Sequence, residues 1–185
     1  MSAPDSRPFR TFPVYAPDTQ DAARRYLLGT EGLRPLVILG LNPSVADKEK
    51  ADRTITRISE YAKRNHSDSF IMLNLYAQRT PYPKDLHAII DAELHRQNLY
   101  EIDHVLDKFN KIDMLAAWGE TINIRPYLKQ CLRDILSLTP PRNVRWLQIS
   151  ETLTKSGHPR HPSRGSYKLL HPFDIYGYLR SNFTL

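Results

Sequence analysis

Four polar residues, Asn42, Asp47, Asn74 and His161, each end or follow an apolar run that is typical of a buried strand. A primary amide donates and accepts at once, so it can discriminate the edge of a nucleobase. A histidine donor stabilises an oxygen that becomes anionic in a transition state, and a carboxylate can orient water or offset a developing positive charge. Such residues act together only when the fold brings the strand ends to one edge.

Each of these residues also has a plainer interpretation. Asn42 and Asp47 can simply be turn and loop residues, a role that suits their side chains. Asn74 is harder to explain in this way because an unpaired buried amide is costly, although it can bond to the backbone of a neighbouring loop. His158 and His161 can be exposed loop residues, and a metal site built on both has no evident third ligand. We therefore predict no metal site and no cofactor.

The first of these strands organises the rest of the chain. Residues 36–39 form a short apolar run rich in branched side chains, which is typical of a strand in a parallel sheet covered by helices. Gly40, Asn42 and Pro43 then favour a turn, and a polar loop leads to a helix for which Asp52 is a suitable cap. This places backbone amides and small polar side chains at the carboxyl end of a strand, where open α/β sheets bind their ligands.

Strand and helix patterns alternate about four times along the chain. We predict an α/β three-layer sandwich, in which a four-stranded parallel sheet has helices on both faces. The predicted strands include residues 36–40, 70–75, 112–117 and 144–149, and the predicted helices span about residues 18–28, 52–65, 91–109 and 125–138. The polar segments after the strands should then gather at one edge of the sheet.

Length and composition limit the class of protein. A chain of 185 residues, with 41% hydrophobic and 25% charged residues, supports a single domain over residues 1–185. Its first 17 residues are proline-rich and polar, which predicts an extended N-terminal arm. The single Cys131 excludes an internal disulfide. The sequence shows no apolar run of membrane-spanning length and no signal peptide, so we predict a cytoplasmic protein.

The charge distribution favours a polyanionic partner. Lys and Arg number 26 against 20 Asp and Glu, a net charge of +6, which is weak evidence by itself. Residues 142–168, however, are rich in basic side chains and hold a single acidic residue, Glu151. We predict that Lys155, Arg160 and Arg164 contact the phosphates of a nucleic acid, most naturally DNA, although both arginines could equally be solvated.

Short motifs in the chain occur in an order that resembles known families. The segments are LNPSVAD (41–47), ADRTI (51–55), NLYA (74–77), AAWG (116–119) and LTKSGHPRHP (153–162). They resemble, over about residues 36–163, an uncharacterised bacterial and phage domain family with LNPSTAD near its start and LTK-x-G-x-PRHP near its end. More remotely, the order is similar to that of the uracil-DNA glycosylase superfamily, where a GINPG-type motif, an Asn and an HPS segment end successive strands or loops.

The remote resemblance implies roles for particular residues. Asn42 falls where mismatch-specific glycosylases position the attacking water, Asn74 where the superfamily reads the flipped base, and His161 where charge on the departing base is stabilised. Asp47 completes the predicted catalytic residues on chemical grounds and not through the resemblance, since a carboxylate near the sugar could orient water or offset positive charge. The implied substrate-binding residues are Gly40, Pro43, Ser44, Asn74, Tyr76 and Ser163.

Two hypotheses about function follow. The resemblance implies a uracil-DNA glycosylase-like fold and a hydrolase of the nucleobase N-glycosidic bond that acts on a flipped-out, modified or damaged base in DNA repair or modification. The alternative is a non-catalytic nucleic-acid or nucleotide binding module. Ser44 stands where that superfamily has Gly, and its usual stacking Phe is missing, so Tyr76 or Tyr82 would have to substitute. These departures favour the alternative, because a shared fold does not guarantee shared chemistry.

Overall fold

A mixed sheet of seven strands forms the centre of the computed structural model, which describes residues 12–17, 21–46, 51–165 and 169–183. In chain order the strands are β1 (Val14–Ala16), β2 (Leu27–Gly29), β3 (Pro35–Gly40), β4 (Ser69–Asn74), β5 (Ile112–Ala116), β6 (Val144–Gln148) and β7 (His171–Pro172). Their spatial order is β1-β2-β4-β3-β5-β6-β7. The prediction of an α/β fold is confirmed.

The four predicted strands are the four central ones. β3 pairs in parallel with both β4 and β5, and β5 pairs in parallel with β6. The prediction that these four make up the whole sheet is wrong, because β1 and β2 extend one side and β7 the other, all by antiparallel pairing. Each added strand has two or three residues, which is too short to give a periodic signal in the sequence.

The predictions for the amino-terminal segment agree less well with the structure than those for the central strands. The predicted helix over residues 18–28 is wrong, because Leu27–Gly29 is strand β2. Gly29 allows this strand to lie close to β4, since a side chain there would collide with the backbone oxygen of Phe70. Of the predicted arm, Val14–Ala16 is an edge strand, whereas residues 1–11 lie outside the described part of the chain.

Helices cover both faces of the sheet. They are α1 (Arg53–Arg64), α2 (Ala92–Asp107), α3 (Tyr127–Ser137) and α4 (Ile175–Asn182). Helix α1 packs on the face that carries Leu36 and Ile38, and the other three pack on the face that carries Val37 and Leu39. Within the described residues, none of the helices has the length and apolar character needed to cross a membrane.

Aspartates begin two of the predicted helices, as their sequences suggest. Asp52 accepts a hydrogen bond from the Ile55 amide at 2.9 Å, and Asp91 accepts one from the Leu94 amide at 3.0 Å. These caps fix where the helices start, so the loops after β3 and β4 are confined to the carboxyl edge of the parallel strands.

Candidate functional site

A pocket of about 680 Å³ lies at the carboxyl ends of the parallel strands. Segments that follow β3, β4, β5 and β6 all contribute to its wall. The described residues that bear on its chemistry include Asn42, Ser44, Asp52, Gly119, His161 and Ser163. This is the edge at which an open α/β sheet binds ligands.

Asn42 reaches the pocket with its amide held in one orientation. Its Nδ2 donates to the carbonyl oxygens of Pro43 at 2.9 Å and Thr80 at 2.8 Å. Two carbonyl neighbours require the amide nitrogen on that side, which settles which way the side chain points. Among the described residues nothing donates to Oδ1, so this oxygen is left as an acceptor for a ligand or a water in the pocket.

The loop that carries Ser44 is held in place by Arg79. The Arg79 guanidinium donates to the carbonyl oxygens of Ser44 at 3.1 Å, Val45 at 3.0 Å and Ala46 at 3.1 Å. The buried Arg25 also donates to the Ala46 oxygen. The first residues after β3 are thus fixed relative to the segment after β4, whereas Asp47 lies outside the described residues.

His161 presents a defined hydrogen-bonding face. Its Nδ1 accepts from the Ser163 amide at 3.2 Å and lies 2.8 Å from the Ser163 Oγ. Burial lowers the pKa of His161 below its ordinary 6.5, opposed by the charge of Asp52 and reinforced by that of Arg164. The ring is therefore neutral near pH 7, and because Nδ1 accepts, its proton is on Nε2. That N–H is a donor available to the pocket.

His158 has a structural position rather than a place in the pocket wall. Its Nδ1 lies 2.9 Å from the Tyr178 hydroxyl, which also accepts from the Trp118 indole nitrogen at 3.1 Å. The Asn123 side chain lies 2.8 Å from the other ring nitrogen. This buried network ties the loop of His161 to β5 and α4. Among the described residues no cluster of three or more His, Cys, Asp or Glu could hold a metal ion.

Asn74 lies beside the pocket but is closed off from it. It pairs with Gly40 in the β3–β4 register, is fully buried, and has no hydrogen-bond partner among the described residues at either side-chain atom. A side chain at Gly40 would collide with the methyl group of Met72 and would lie 3.1 Å from the Asn74 Oδ1. Met72 lines the pocket and Asn74 does not. The Met72 side chain thus lies between the cavity and the unpaired amide of Asn74.

Tyr76 and Pro43 do not line the pocket, nor does Gly40. Tyr76 is buried on the side of the sheet that packs against α2 and α3. Its hydroxyl lies 2.8 Å from the His87 Nδ1 and accepts from the Asp91 amide at 3.0 Å, and its ring packs against Tyr127 with centroids 5.1 Å apart. Tyr76, two residues after β4, therefore lies in the core and outside the pocket wall, and its expected contact with a bound base stays a prediction.

Basic side chains surround the same cavity. Lys155, Arg160 and Arg164 all line it, with Lys155 and Arg164 exposed and Arg160 partly exposed. The expectation that these three residues contact the phosphates of a nucleic acid stays a prediction.

Two acidic residues of the pocket wall were not predicted. Asp52 caps α1 with one carboxylate oxygen and also lines the cavity. Glu120 follows Gly119, whose φ of 66° suits glycine, and hydrogen bonds from Ser156 and Thr154 lower the pKa of Glu120. The sequence could have indicated that Asp52 lines the pocket. Asp52 caps the helix that follows a central parallel strand, and the start of such a helix lies at the edge of the sheet where ligands bind.

A family model described as "Protein of unknown function (DUF1643)" matches residues 25–163. This is well over half of the chain, so the chain belongs to that family, and the expected membership of an uncharacterised domain family is confirmed. No curated protein and no solved structure gives a significant match.

Proposed function

We propose that this member of the DUF1643 family hydrolyses the N-glycosidic bond of a flipped-out, modified or damaged base in DNA, on a fold of the uracil-DNA glycosylase type. The observation that carries the proposal is the pairing of Asn42 and His161 in one pocket. They come from loops after different strands, and backbone contacts leave one with a free acceptor and the other with a free donor.

The chemistry of this bond matches that pair. Its cleavage leaves an oxocarbenium-like sugar and an anionic base, so a donor aimed at the base oxygen lowers the barrier. The His161 Nε2–H is such a donor, while the Asn42 Oδ1 can accept a hydrogen bond from the attacking water. Asp52 would offset the positive charge of the sugar, a role that the sequence also predicts for Asp47. No metal or redox partner is required for this step.

The unpaired amide of Asn74 supports a recognition role. Burying an amide without partners costs free energy, and such groups in native proteins call for an explanation. A ligand that displaces the Met72 side chain would give Asn74 both a donor and an acceptor to pair with. In the glycosylase proposal, Asn74 reads the edge of the base in this way.

The alternative is a non-catalytic nucleic-acid or nucleotide binding module. Two observations favour it: Ser44 occupies part of the pocket wall, and none of the described residues that line the pocket is Phe, Tyr or Trp. A panel of oligonucleotides carrying uracil, hydroxymethyluracil, hypoxanthine and other modified bases separates the two functions. Abasic-site formation with any of them supports the hydrolase, and binding without base release throughout the panel supports the module.

The salt dependence of binding should identify the phosphate contacts. In the Arg160→Ala, Arg164→Ala double variant, the slope of log Kd against log salt should be shallower by about 1 to 2. Each phosphate contact releases about one counterion from the DNA, so a variant with fewer contacts releases fewer counterions on binding. The measurement is fluorescence anisotropy with a labelled DNA duplex between low and moderate salt.

A second double variant, Arg96→Ala and Arg180→Ala, controls for net charge. Both of these arginines are exposed, on α2 and α4, and neither lines the pocket. This control should keep the wild-type slope. Equal slopes for wild type and the Arg160, Arg164 variant would show that those two arginines do not contact phosphate.

A further inference from the structure

Tyr82 is an exposed aromatic residue at the edge of the pocket. Its side chain is 61% exposed, and the residues on either side of it, Pro81 and Pro83, both line the cavity. A single exposed aromatic side chain needs no explanation by itself, but this one lies directly beside the lining of a cavity that also carries basic side chains. The position of Tyr82 therefore points to a contact outside the pocket.

The backbone that presents Tyr82 is held firmly. The Thr80 Oγ1 accepts from the Tyr82 amide at 3.2 Å and lies 3.2 Å from the Tyr82 carbonyl oxygen, which also accepts from the Asp85 amide at 2.9 Å. Prolines on both sides restrict the backbone further. Because the Thr80 carbonyl oxygen accepts from the Asn42 Nδ2, the segment is attached to a residue of the pocket wall. The ring is thus displayed at a fixed place.

A cation accompanies the ring. The Lys84 ammonium lies 5.9 Å from the ring centroid of Tyr82. An aromatic face beside a basic group is the combination with which proteins bind single-stranded nucleic acid, because the ring stacks on a base and the cation attracts the phosphate. Two other exposed tyrosines, Tyr100 and Tyr176, lie on α2 and α4, away from the pocket.

We propose that Tyr82 stacks on a nucleobase adjacent to the one in the pocket, so that the substrate is an unpaired stretch of a nucleic-acid strand and not a free nucleotide. The inference rests on the proposed function, in which the pocket receives a nucleobase. A free nucleotide would fill the pocket and leave Tyr82 without a contact, whereas a strand reaches both places. Lys84 then lies close to the phosphate between the two nucleotides.

The test is binding of a fluorescein-labelled single-stranded deoxyoligonucleotide of about 20 nucleotides at low salt. Tyr82→Ala should raise Kd by about 5- to 150-fold, because stacking on one aromatic side chain contributes that much. Tyr82→Trp should bind at least as tightly as wild type. Tyr176 on α4 is a similarly exposed tyrosine, and the control variant Tyr176→Ala should bind as wild type does. Deoxythymidine monophosphate should compete equally well against wild type and Tyr82→Ala.

The outcomes separate this inference from the proposed function. Unchanged oligonucleotide affinity in Tyr82→Ala overturns the stacking role while leaving the proposed function intact. An equal loss of affinity for the monophosphate overturns it too, since the ring would then contact the nucleotide in the pocket. A wild-type protein that binds duplex DNA but not the single-stranded oligonucleotide overturns this inference alone, and one that binds neither overturns both. Folding is checked by the thermal unfolding midpoint, which an exposed side chain should leave nearly unchanged.

Discussion

His161→Ala is expected to slow base release by about 100- to 1,000-fold, the usual effect of losing one donor that stabilises an anion in a transition state. The affinity for the substrate strand should change little. The Nε2–H of His161 meets full negative charge only as the base departs, so its loss falls on the transition state and not on the ground state. Single-turnover rates and equilibrium binding, measured on the same oligonucleotide, separate the two effects.

Two further variants make this test specific. His161→Gln retains an N–H donor and should recover part of the rate. His104→Ala removes an exposed histidine on α2, outside the pocket, and should behave as wild type. A wild-type rate in His161→Ala would show that this histidine does not act on the leaving base. A large loss of affinity would instead indicate a role in ground-state binding.

Asn74→Leu is expected to raise the free energy of unfolding by about 1–3 kcal/mol, because it replaces a buried amide without partners by an apolar side chain of similar size. The same variant should lose about 5- to 150-fold in its discrimination between bases, since a paired amide contact supplies that much. Urea unfolding gives the first quantity, and relative kcat/KM on two bases gives the second. A residue kept for function at the expense of stability should show both changes.

Asn98 offers a matched control on α2. It is equally buried, and its Oδ1 has no partner among the described residues, but its Nδ2 donates to the carbonyl oxygens of Asn74 at 2.9 Å and Leu75 at 3.3 Å. Asn98→Leu should therefore lower the free energy of unfolding by about 1–3 kcal/mol, the opposite sign. If Asn74→Leu destabilises the protein as Asn98→Leu does, the Asn74 amide has a structural partner and its proposed reading role loses its basis.

The sequence predicts the centre of this fold better than its edges. The strand that begins at Pro35 and the helix capped by Asp52 have strong local signals, a buried apolar run and an aspartate at the right spacing. Strand β7 has two residues and forms only because β6 offers it an edge, which no local pattern records. Tertiary pairing decides such elements.

The candidate site shows a similar division. Asn42 and His161 could be predicted to meet, because parallel strands bring their following loops to one edge. The burial of Tyr76 could not, because it depends on which way the chain turns after Asn74. The closure of the pocket over Asn74 depends equally on where the Met72 side chain packs against Gly40, a contact between neighbouring strands. The periodicity of apolar residues in the sequence does not predict side-chain contacts of this kind.

The most direct test of the account is base release in ¹⁸O-labelled water. The substrate is whichever oligonucleotide of the modified-base panel the wild-type protein converts to an abasic site, under single-turnover conditions. Hydrolysis predicts equal amounts of free base and abasic site, with no label in the base, because the C1′–N bond breaks and the oxygen of water goes to C1′. Strands that stay intact throughout the panel while the protein remains bound to them would contradict the hydrolase and leave the binding module as the function of this pocket.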